Sequence, residues 1–338
     1  MSQALMLQLL RAWAWRENQR AFEGNEAVRV FHGPGDGEGE LRSFAIDRFK
    51  DHYWITEWQE EEEPPRSGSG RPPPVQKLGR AQILQEIREF LETKGAVSAV
   101  ALGRPKQGVP AVPEVLFGDS DPNGFDISEE GLRFRIRLRE TRHPGLFLDH
   151  LPLRRWLRAH STGVRVLNAF AYTGSLSVAC GVGGAEHVAT LDLSKPTVAW
   201  ARENWLLNGL SEDSGRFISG DVFEWLPRLK REGERYDVVI LDPPSFSRGN
   251  KGSFSTAKDL VRLHRLAIEL LKDDGRLVTS INSANIPVNR FESDLAQAAR
   301  EASVRFQVAL RIDLPETFPT RLDRPQDRYL KGVILRRV

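Results

Sequence analysis

The spacing of apolar positions changes character near residue 164. Before it the pattern is mixed. Val28–Phe31 and Phe44–Asp47 read as strands on either side of the turn-rich GPGDGEGE, and His52–Trp58 alternates as a third strand. Ile83, Leu84, Ile87, Phe90 and Leu91 recur at helical spacing and predict one amphipathic helix of about 17 residues. Val97–Leu102 and a hairpin across Phe125–Leu138 add further β structure. Residues 1–140 are therefore expected to form a small α+β domain for binding RNA or another substrate. It is interrupted over 60–74, where four glutamates and five prolines cannot build a packed element and predict a loop or linker.

From Val164 onward the apolar runs VRVLNAF, HVATLD, YDVVILD and RLVTSI alternate with helical stretches, the signature of a parallel sheet flanked by helices. One helix has explicit ends, with Ser194 as N-cap, Pro196 in its first turn and Gly209 as terminator. A second, about Lys258–Leu271, is expected to stop at Asp273–Gly275. Val304–Ile312 and Tyr329–Arg336 predict a terminal antiparallel hairpin. The fold class that follows is α/β: a Rossmann-like, mostly parallel sheet over residues 141–338, preceded by the smaller α+β domain.

Composition narrows the chemistry. The 338 residues suit about two domains. With 48 Lys+Arg against 46 Asp+Glu, the formal charge of +2 excludes a polycation and an acidic tail, though not a locally basic surface. The single cysteine, Cys180, excludes an intrachain disulfide and a multi-cysteine zinc site, and the seven scattered histidines give no metal-ligand spacing. No leader-like segment and no apolar run of about 18 residues is present, so a cytoplasmic protein with neither membrane nor metal partner is expected.

The loop after the first strand of the parallel sheet, Asn168-Ala-Phe170-Ala-Tyr-Thr-Gly174-Ser-Leu-Ser177, holds one glycine and fails the dinucleotide fingerprint. Such a loop lacks a pyrophosphate cradle and fits a cofactor with adenosine but no phosphate. Asp192 ends the second strand 18 residues past Gly174, where an acid accepts from ribose hydroxyls, followed by Leu193 and Ser194. Asp221 follows the third strand, placed to accept from an adenine amino group with Val222 and Phe223 against the ring. Three separate acids beside a phosphate-free adenosine point to S-adenosylmethionine, whose sulfonium and ammonium are cationic. The competing reading, that each acid caps a helix or ends a strand, is common for any one of them. The third acid, Asp242, opens Asp242-Pro243-Pro244-Ser245-Phe246 at the end of the fourth strand. Prolines lack N–H donors and leave bare carbonyls, so the acid and carbonyls can hold a base by its N–H groups while Phe246 offers a stacking face.

GLFLDH (Gly145–His150), NAFAYTG, LDLS, SGDVFEWL and LDPPSF together resemble the bacterial class I methyltransferases of 23S ribosomal RNA, which include cytosine-C5 enzymes and a guanine-N7 branch. The resemblance is strong over Arg133–Val338; upstream, VRVFHGPGDGEGELRSFAIDRF is similar to a degenerate form of the family's central domain, and a counterpart of the cytosine enzymes' PUA domain is not expected among these residues. It implies that Phe147, Asp149 and His150 lie near the methionine end of the cofactor, with Arg154 or Arg155 standing for the arginine the family carries shortly after that acid. It further implies that Tyr172, Thr173, Gly174 and Ser175 touch the cofactor, with Asp192 at the ribose and Asp221 at the adenine.

Methylating cytosine C5 requires a thiolate that adds to the ring. The cytosine enzymes carry it just after the fifth strand, where this chain reads Leu277-Val-Thr-Ser-Ile-Asn-Ser-Ala284. Cys180 lies elsewhere, in an apolar run that reads as core. The chain therefore looks closer to the guanine-N7 branch, with Asn282, Ser283 and Asn285 as either base contacts or ordinary loop residues. Between Gly131 and His160, eight arginines against two acids give a local charge of +6. Arg133, Arg135, Arg137 and Arg139 alternate with Phe134, Ile136 and Leu138, a ladder that, with Arg154 and Arg155, is expected to meet RNA phosphates or else to be a solvated strand face. A second basic cluster is Arg321, Arg324, Arg328 and Lys331. The leading expectation is methylation of a base nitrogen in 23S ribosomal RNA or a ribosomal precursor, with a homodimer left open. The alternatives are a methyltransferase for a protein or small molecule, and a catalytically silent RNA-binding assembly factor.

Overall fold

The apolar runs that follow residue 164 become the strands of one seven-stranded sheet in the computed structural model, which describes residues 3–58, 78–103, 111–139, 143–249, 252–283 and 286–338. The segment 60–74, expected as a loop, lies outside the described residues. Contacts divide the chain into two compact units. One is Met1–Gly131 with Ile136–Pro144 and Glu316–Pro325; the other is Leu132–Arg135 with Gly145–Pro315 and Gln326–Val338.

In the first unit, strands β1 (Ala27–His32), β2 (Phe44–Phe49), β3 (His52–Glu57), β4 (Ser98–Leu102) and β5 (Pro113–Phe117) form a sheet in that order. Helices α1 (Gln3–Asn18) and α3 (Arg80–Thr93) contribute to its core; a short turn, α2 (Gly33–Asp36), follows β1. The helix α1 was not legible in the sequence. Its inward stripe is Leu5, Leu9, Ala12, Trp13 and Arg16, so a charge occupies an apolar position of the period. Arg16 is fully buried and donates to Asp36 and to the carbonyls of Ala12, Arg29 and Thr317, which offsets the cost of desolvating it. Strands β6 (Phe125–Glu129) and β7 (Leu132–Ile136) occupy the expected hairpin segment, joined by Glu130 and Gly131 at positive φ (52° and 82°).

The second unit carries the Rossmann-like sheet. Its elements are α4 (Leu151–His160), β8 (Arg165–Ala169), α5 (Ser175–Val182), β9 (His187–Asp192), α6 (Lys195–Leu207), β10 (Gly215–Ser219), α7 (Val222–Arg231) and β11 (Tyr236–Leu241). A short antiparallel pair follows, β12 (Phe246–Gly249) and β13 (Gly252–Ser255), and then α8 (Thr256–Ile268), β14 (Leu271–Asn282), α9 (Val288–Glu301), β15 (Phe306–Ile312) and β16 (Leu330–Arg337). Strand order is β10-β9-β8-β11-β14-β16-β15. The first five run parallel, β16 runs antiparallel to β14, and β15 pairs antiparallel with β16 as the terminal hairpin expected. Apolar Val166, Val188, Val238, Val239, Ile240 and Val278 are fully buried, as strands covered on both faces must be. Leu191 pairs with Ala169, and Leu241 pairs with both Ala169 and Thr279. The next residues along the four strands, Asp192, Phe170, Asp242 and Ser280, therefore lie at one level, where β8 and β11 leave the sheet, β9 ends and β14 continues to Asn282 beside β16.

Two boundaries differ from the pattern-based reading. The helix expected to reach Leu271 ends at Ile268, and Asp273–Gly275 lie inside β14 rather than beyond a helix. Pairing with β11 jumps from Tyr236↔Leu271 to Val238↔Arg276, so the extra residues bulge out with Asp274 at φ 60° and pairing resumes beyond them. The capped helix α6 matches expectation: Ser194 Oγ accepts from the Thr197 N–H, and Gly209 follows the helix at φ 69°.

His264 joins α8 to β14 inside the core. Its Nδ1 meets the Leu260 carbonyl at 2.7 Å and its Nε2 meets Thr279 Oγ1 at 2.8 Å. Burial pushes the imidazole down to about 4, the Leu260 bond opposing in part. An unfolded chain therefore takes up this proton first as pH falls. The stabilisation is complete above the ordinary value of 6.5 and is lost between there and about 4. Denaturant unfolding is expected to lose on the order of 3 kcal/mol from this group across that window. A His264→Leu variant, which removes the titration, should lose correspondingly less stability over the same range; an unchanged pH slope would show that His264 is not responsible.

Candidate cofactor and acceptor site

The loop between β8 and α5 is bent by three positive φ values, Phe170 at 59°, Tyr172 at 50° and Gly174 at 75°. A Cβ on Gly174 would lie 2.8 Å from the Ala201 Cβ, so glycine is required both by conformation and by the close approach of α6. Asn168, fully buried, donates to Ser177 Oγ, which also accepts from Thr190; this locks α5 to β8 and β9. The Asn168 Oδ1 is buried and makes no hydrogen bond among the described residues. Ser175 opens α5 just beyond Gly174.

Asp192 holds this loop as well as ending β9. Its Oδ2 accepts from the Tyr172 N–H at 2.9 Å and its Oδ1 from the Ser194 N–H at 3.0 Å, leaving one lone pair on each oxygen for a ligand. Leu193 is exposed beside it. Asp221 caps α7, its Oδ1 accepting from the Phe223 N–H at 2.8 Å. Val222, expected against an adenine ring, turns into the hydrophobic core with Leu226 and Leu229, because α7 buries that stripe. Phe223 is the partly buried neighbour, with the Arg262 guanidinium 4.7 Å above its ring.

One stripe on α6 escaped sequence reading. Trp200, Asn204 and Asn208 recur at i, i+4 and i+8 and bond the backbone of β7. Asn208 exchanges bonds with the Arg133 N–H and carbonyl, Asn204 accepts from the Arg135 N–H, and the Trp200 indole donates to the Arg135 carbonyl. Asn204 also donates to the Thr173 carbonyl, and Thr173 Oγ1 donates to the Gly145 carbonyl at 2.5 Å. The rings of Phe147 and Tyr172 lie 5.1 Å apart. Burial raises the Tyr172 phenol well above its ordinary range, so it stays neutral.

Tertiary structure brings His150 to Asp242. His150 is buried. Its Nδ1 lies 3.2 Å from Asp149 Oδ1, and its Nε2 lies 3.4 Å from Asp242 Oδ1 and 3.3 Å from Ser280 Oγ. Ser280 donates to Asp242 Oδ1 at 2.6 Å, and Tyr329 donates to Asp149 Oδ2 at 2.8 Å. Burial alone would lower the imidazole, but the two carboxylates, Asp242 foremost, overcome it and push the group up to about 10. Beyond Asp242, Pro243 is buried while Pro244 and Ser245 are exposed. Ser245 donates to the Asn282 carbonyl and Lys331 to the carbonyls of Ser283 and Tyr329, tying the ends of β11, β14 and β16 together. Asn282 is exposed, whereas Ser283 is buried. Asn285 and the Phe246 side chain lie outside the described residues.

The expected basic ladder alternates in burial: Leu132, Phe134, Ile136 and Leu138 are buried, Arg133 and Arg139 exposed, Arg135 and Arg137 half-buried. Arg135 lies 3.3 Å from Glu203, and Arg139 pairs with Asp119. Arg155 is exposed on α4. Arg154 differs from the phosphate-contact expectation. It is 1% exposed and donates to the Phe147 carbonyl, so it braces the segment that carries Asp149 and His150 and has no surface to offer RNA. Arg142 lies outside the described residues. Cys180 is core, and burial pushes its thiol up to about 12. Among the described residues no cluster of His, Cys, Asp and Glu could hold a metal ion, and no helix is long and apolar enough to cross a membrane.

The donor set suits adenosine without phosphate: one conformationally required glycine, acids ending β9 and following β10 with acceptor capacity left, and a buried, unbonded Asn168 oxygen. Comparison with known proteins agrees. Ribosomal RNA large subunit methyltransferase I of Yersinia pseudotuberculosis is 31% identical over 233 residues, 69% of this chain and 59% of the relative. YwbD of Bacillus subtilis is 34% identical over 212 residues, 62% of this chain and 54% of the relative. The chain thus spans somewhat more than half the length of these curated relatives. The structure of SMU.776 in complex with SAH aligns with a TM-score of 0.83 at 25% identity, covering 98% of this chain and 81% of that one. A SAM-dependent methyltransferase of Agrobacterium tumefaciens shares the fold, with a TM-score of 0.64 at 21% identity over 93% of this chain and 90% of that one. The family model for S-adenosylmethionine-dependent methyltransferases matches residues 81–335, and the chain belongs to that family.

Proposed function

We propose that the protein methylates a nitrogen of a base in large-subunit ribosomal RNA, in the cytoplasm, without a covalent cysteine intermediate. The observation that carries this reading is the state of Asp242. Its Oδ1 is held by Ser280 and faces His150, while its Oδ2 makes no hydrogen bond among the described residues and its side chain keeps 23% of its surface exposed. A fixed carboxylate with one open oxygen can accept from an N–H of a base and orient the adjoining nitrogen lone pair. S-adenosylmethionine, when bound, supplies a methyl group already activated by its sulfonium, so what this chain contributes is in-line positioning. Asp192 would hold the ribose hydroxyls and Asp221 the adenine amino group, with Tyr172, Thr173, Gly174 and Asn168 shaping the wall between them. Cys180, a buried thiol with its ionisation suppressed, offers no nucleophile for attack on a pyrimidine ring. The relative named for large-subunit ribosomal RNA methylation supports RNA as substrate class. Exposed Arg133, Arg139 and Arg155 supply phosphate contacts.

Transfer of labelled methyl to undermodified ribosomal RNA tests this directly. Asp242→Ala is expected to lower kcat/KM by about 10²–10³ with the circular dichroism spectrum retained. Full activity in the folded variant, or label entering only protein or small-molecule fractions, rejects the reading. Cys180→Ala should retain methyl transfer; its loss in a folded variant would instead indicate a thiolate route. For Arg133→Gln, RNA affinity measured against salt should show a slope shallower by about 1, the mark of one lost phosphate contact.

A further inference from the structure

The hydrogen-bond inventory around His150 leaves little freedom in its protonation. Ser280 has one hydroxyl proton and gives it to Asp242 Oδ1 at 2.6 Å. Toward His150 Nε2, 3.3 Å away, Ser280 Oγ is therefore an acceptor, and so is Asp242 Oδ1 at 3.4 Å. On the other side of the ring, Nδ1 faces Asp149 Oδ1 at 3.2 Å, while Asp149 Oδ2 accepts from Tyr329. Both ring nitrogens face acceptors, so both need protons. A neutral imidazole would leave one lone pair directed at a carboxylate inside a buried cluster.

We propose that His150 is a permanently charged positioning residue: as an imidazolium between Asp149 and Asp242 it fixes the Asp242 carboxylate through Oδ1, so that Oδ2 is presented to the acceptor base. This role differs from the cofactor contact that family resemblance implies for the position, and it rests on the function proposed for Asp242. Among the described residues, the titratable groups facing the ring are Asp149 on its own segment, Asp242 after β11, and, one bond further, Tyr329 before β16, with Ser280 on β14 as a polar neighbour. The ring thus lies between the two carboxylates, 3.2 Å from Asp149 Oδ1 and 3.4 Å from Asp242 Oδ1. Without the central charge, Asp149 and Asp242 would face each other across a buried space and each would bind protons more readily.

The first test uses the wild-type protein without donor or RNA. With histidine labelled in its ring nitrogens, magnetic resonance at about pH 8, where an ordinary histidine is neutral, should show both His150 nitrogens protonated. A neutral tautomer there overturns the proposal. The second test is His150→Gln, which keeps a donor but removes the charge. Its acid limb in the kcat/KM profile for methyl transfer should move to higher pH, and kcat should fall by up to about 10²-fold. An acid limb coincident with wild type, or a loss confined to the donor's Kd by calorimetry, would make His150 a cofactor contact and sink the proposal. Wild type that transfers no methyl to RNA would reject the proposed function instead, while the resonance result still decides the charge.

Discussion

In-register parallel pairing of β8 with β9 on one side and β11 on the other is the constraint on which the site depends. Because Leu191, Ala169, Leu241 and Thr279 form one row across four strands, the residues that follow them lie at the same level. A parallel ladder leaves no choice here, since its hydrogen bonds fix relative height as well as direction. Two acids, a strained loop residue and a serine, far apart in sequence, are thereby set side by side. Strand order reverses here between β8 and β11, the general location for ligands of open α/β sheets.

Electrostatics then divides the work among the acids. Asp192 and Asp221 each spend part of their acceptor capacity on backbone N–H groups, and that expenditure shapes the loops that would enclose adenosine. Capping and ligand binding are therefore compatible roles of one carboxylate, because each oxygen accepts two bonds. Asp242 is treated differently. It is paired with a side-chain hydroxyl and an imidazole ring rather than with backbone, which fixes one oxygen and leaves the other open. His150 shifts upward and His264 downward although both are buried, because the former has two carboxylates beside it and the latter only a carbonyl and a hydroxyl.

Support for the site comes from residues whose chemistry is polar but whose function is structural. Arg154 and the Asn204–Asn208 pair satisfy backbone groups of the segments that lead to the site. Arg16 plays the same part in the first unit, where it fastens the turn that follows β1 through Asp36. Buried arginines of this kind look from sequence like surface charge, and only their bonding partners reveal otherwise.

The chain's pattern alone determined the parallel sheet, the caps of α6, the terminal hairpin and the positions of Asp192, Asp221 and Asp242 at or just beyond strand ends. Each of these is written in local periodicity or in the chemistry of a strand end. It also determined the alternation of the arginine ladder, since period two needs no knowledge of neighbours. Local pattern was blind to α1, because a buried arginine stands in its apolar stripe, and to the bulge in β14, because Asp273–Gly275 reads as a stop in either setting. It assigned Arg154 to the surface and Val222 to a ligand, as helix rotation relative to the core is set only by packing. The approach of His150 to Asp242, separated by more than ninety residues, belonged wholly to tertiary structure. A side chain's charge state is decided by what surrounds it in space, and no spacing along the chain encodes that.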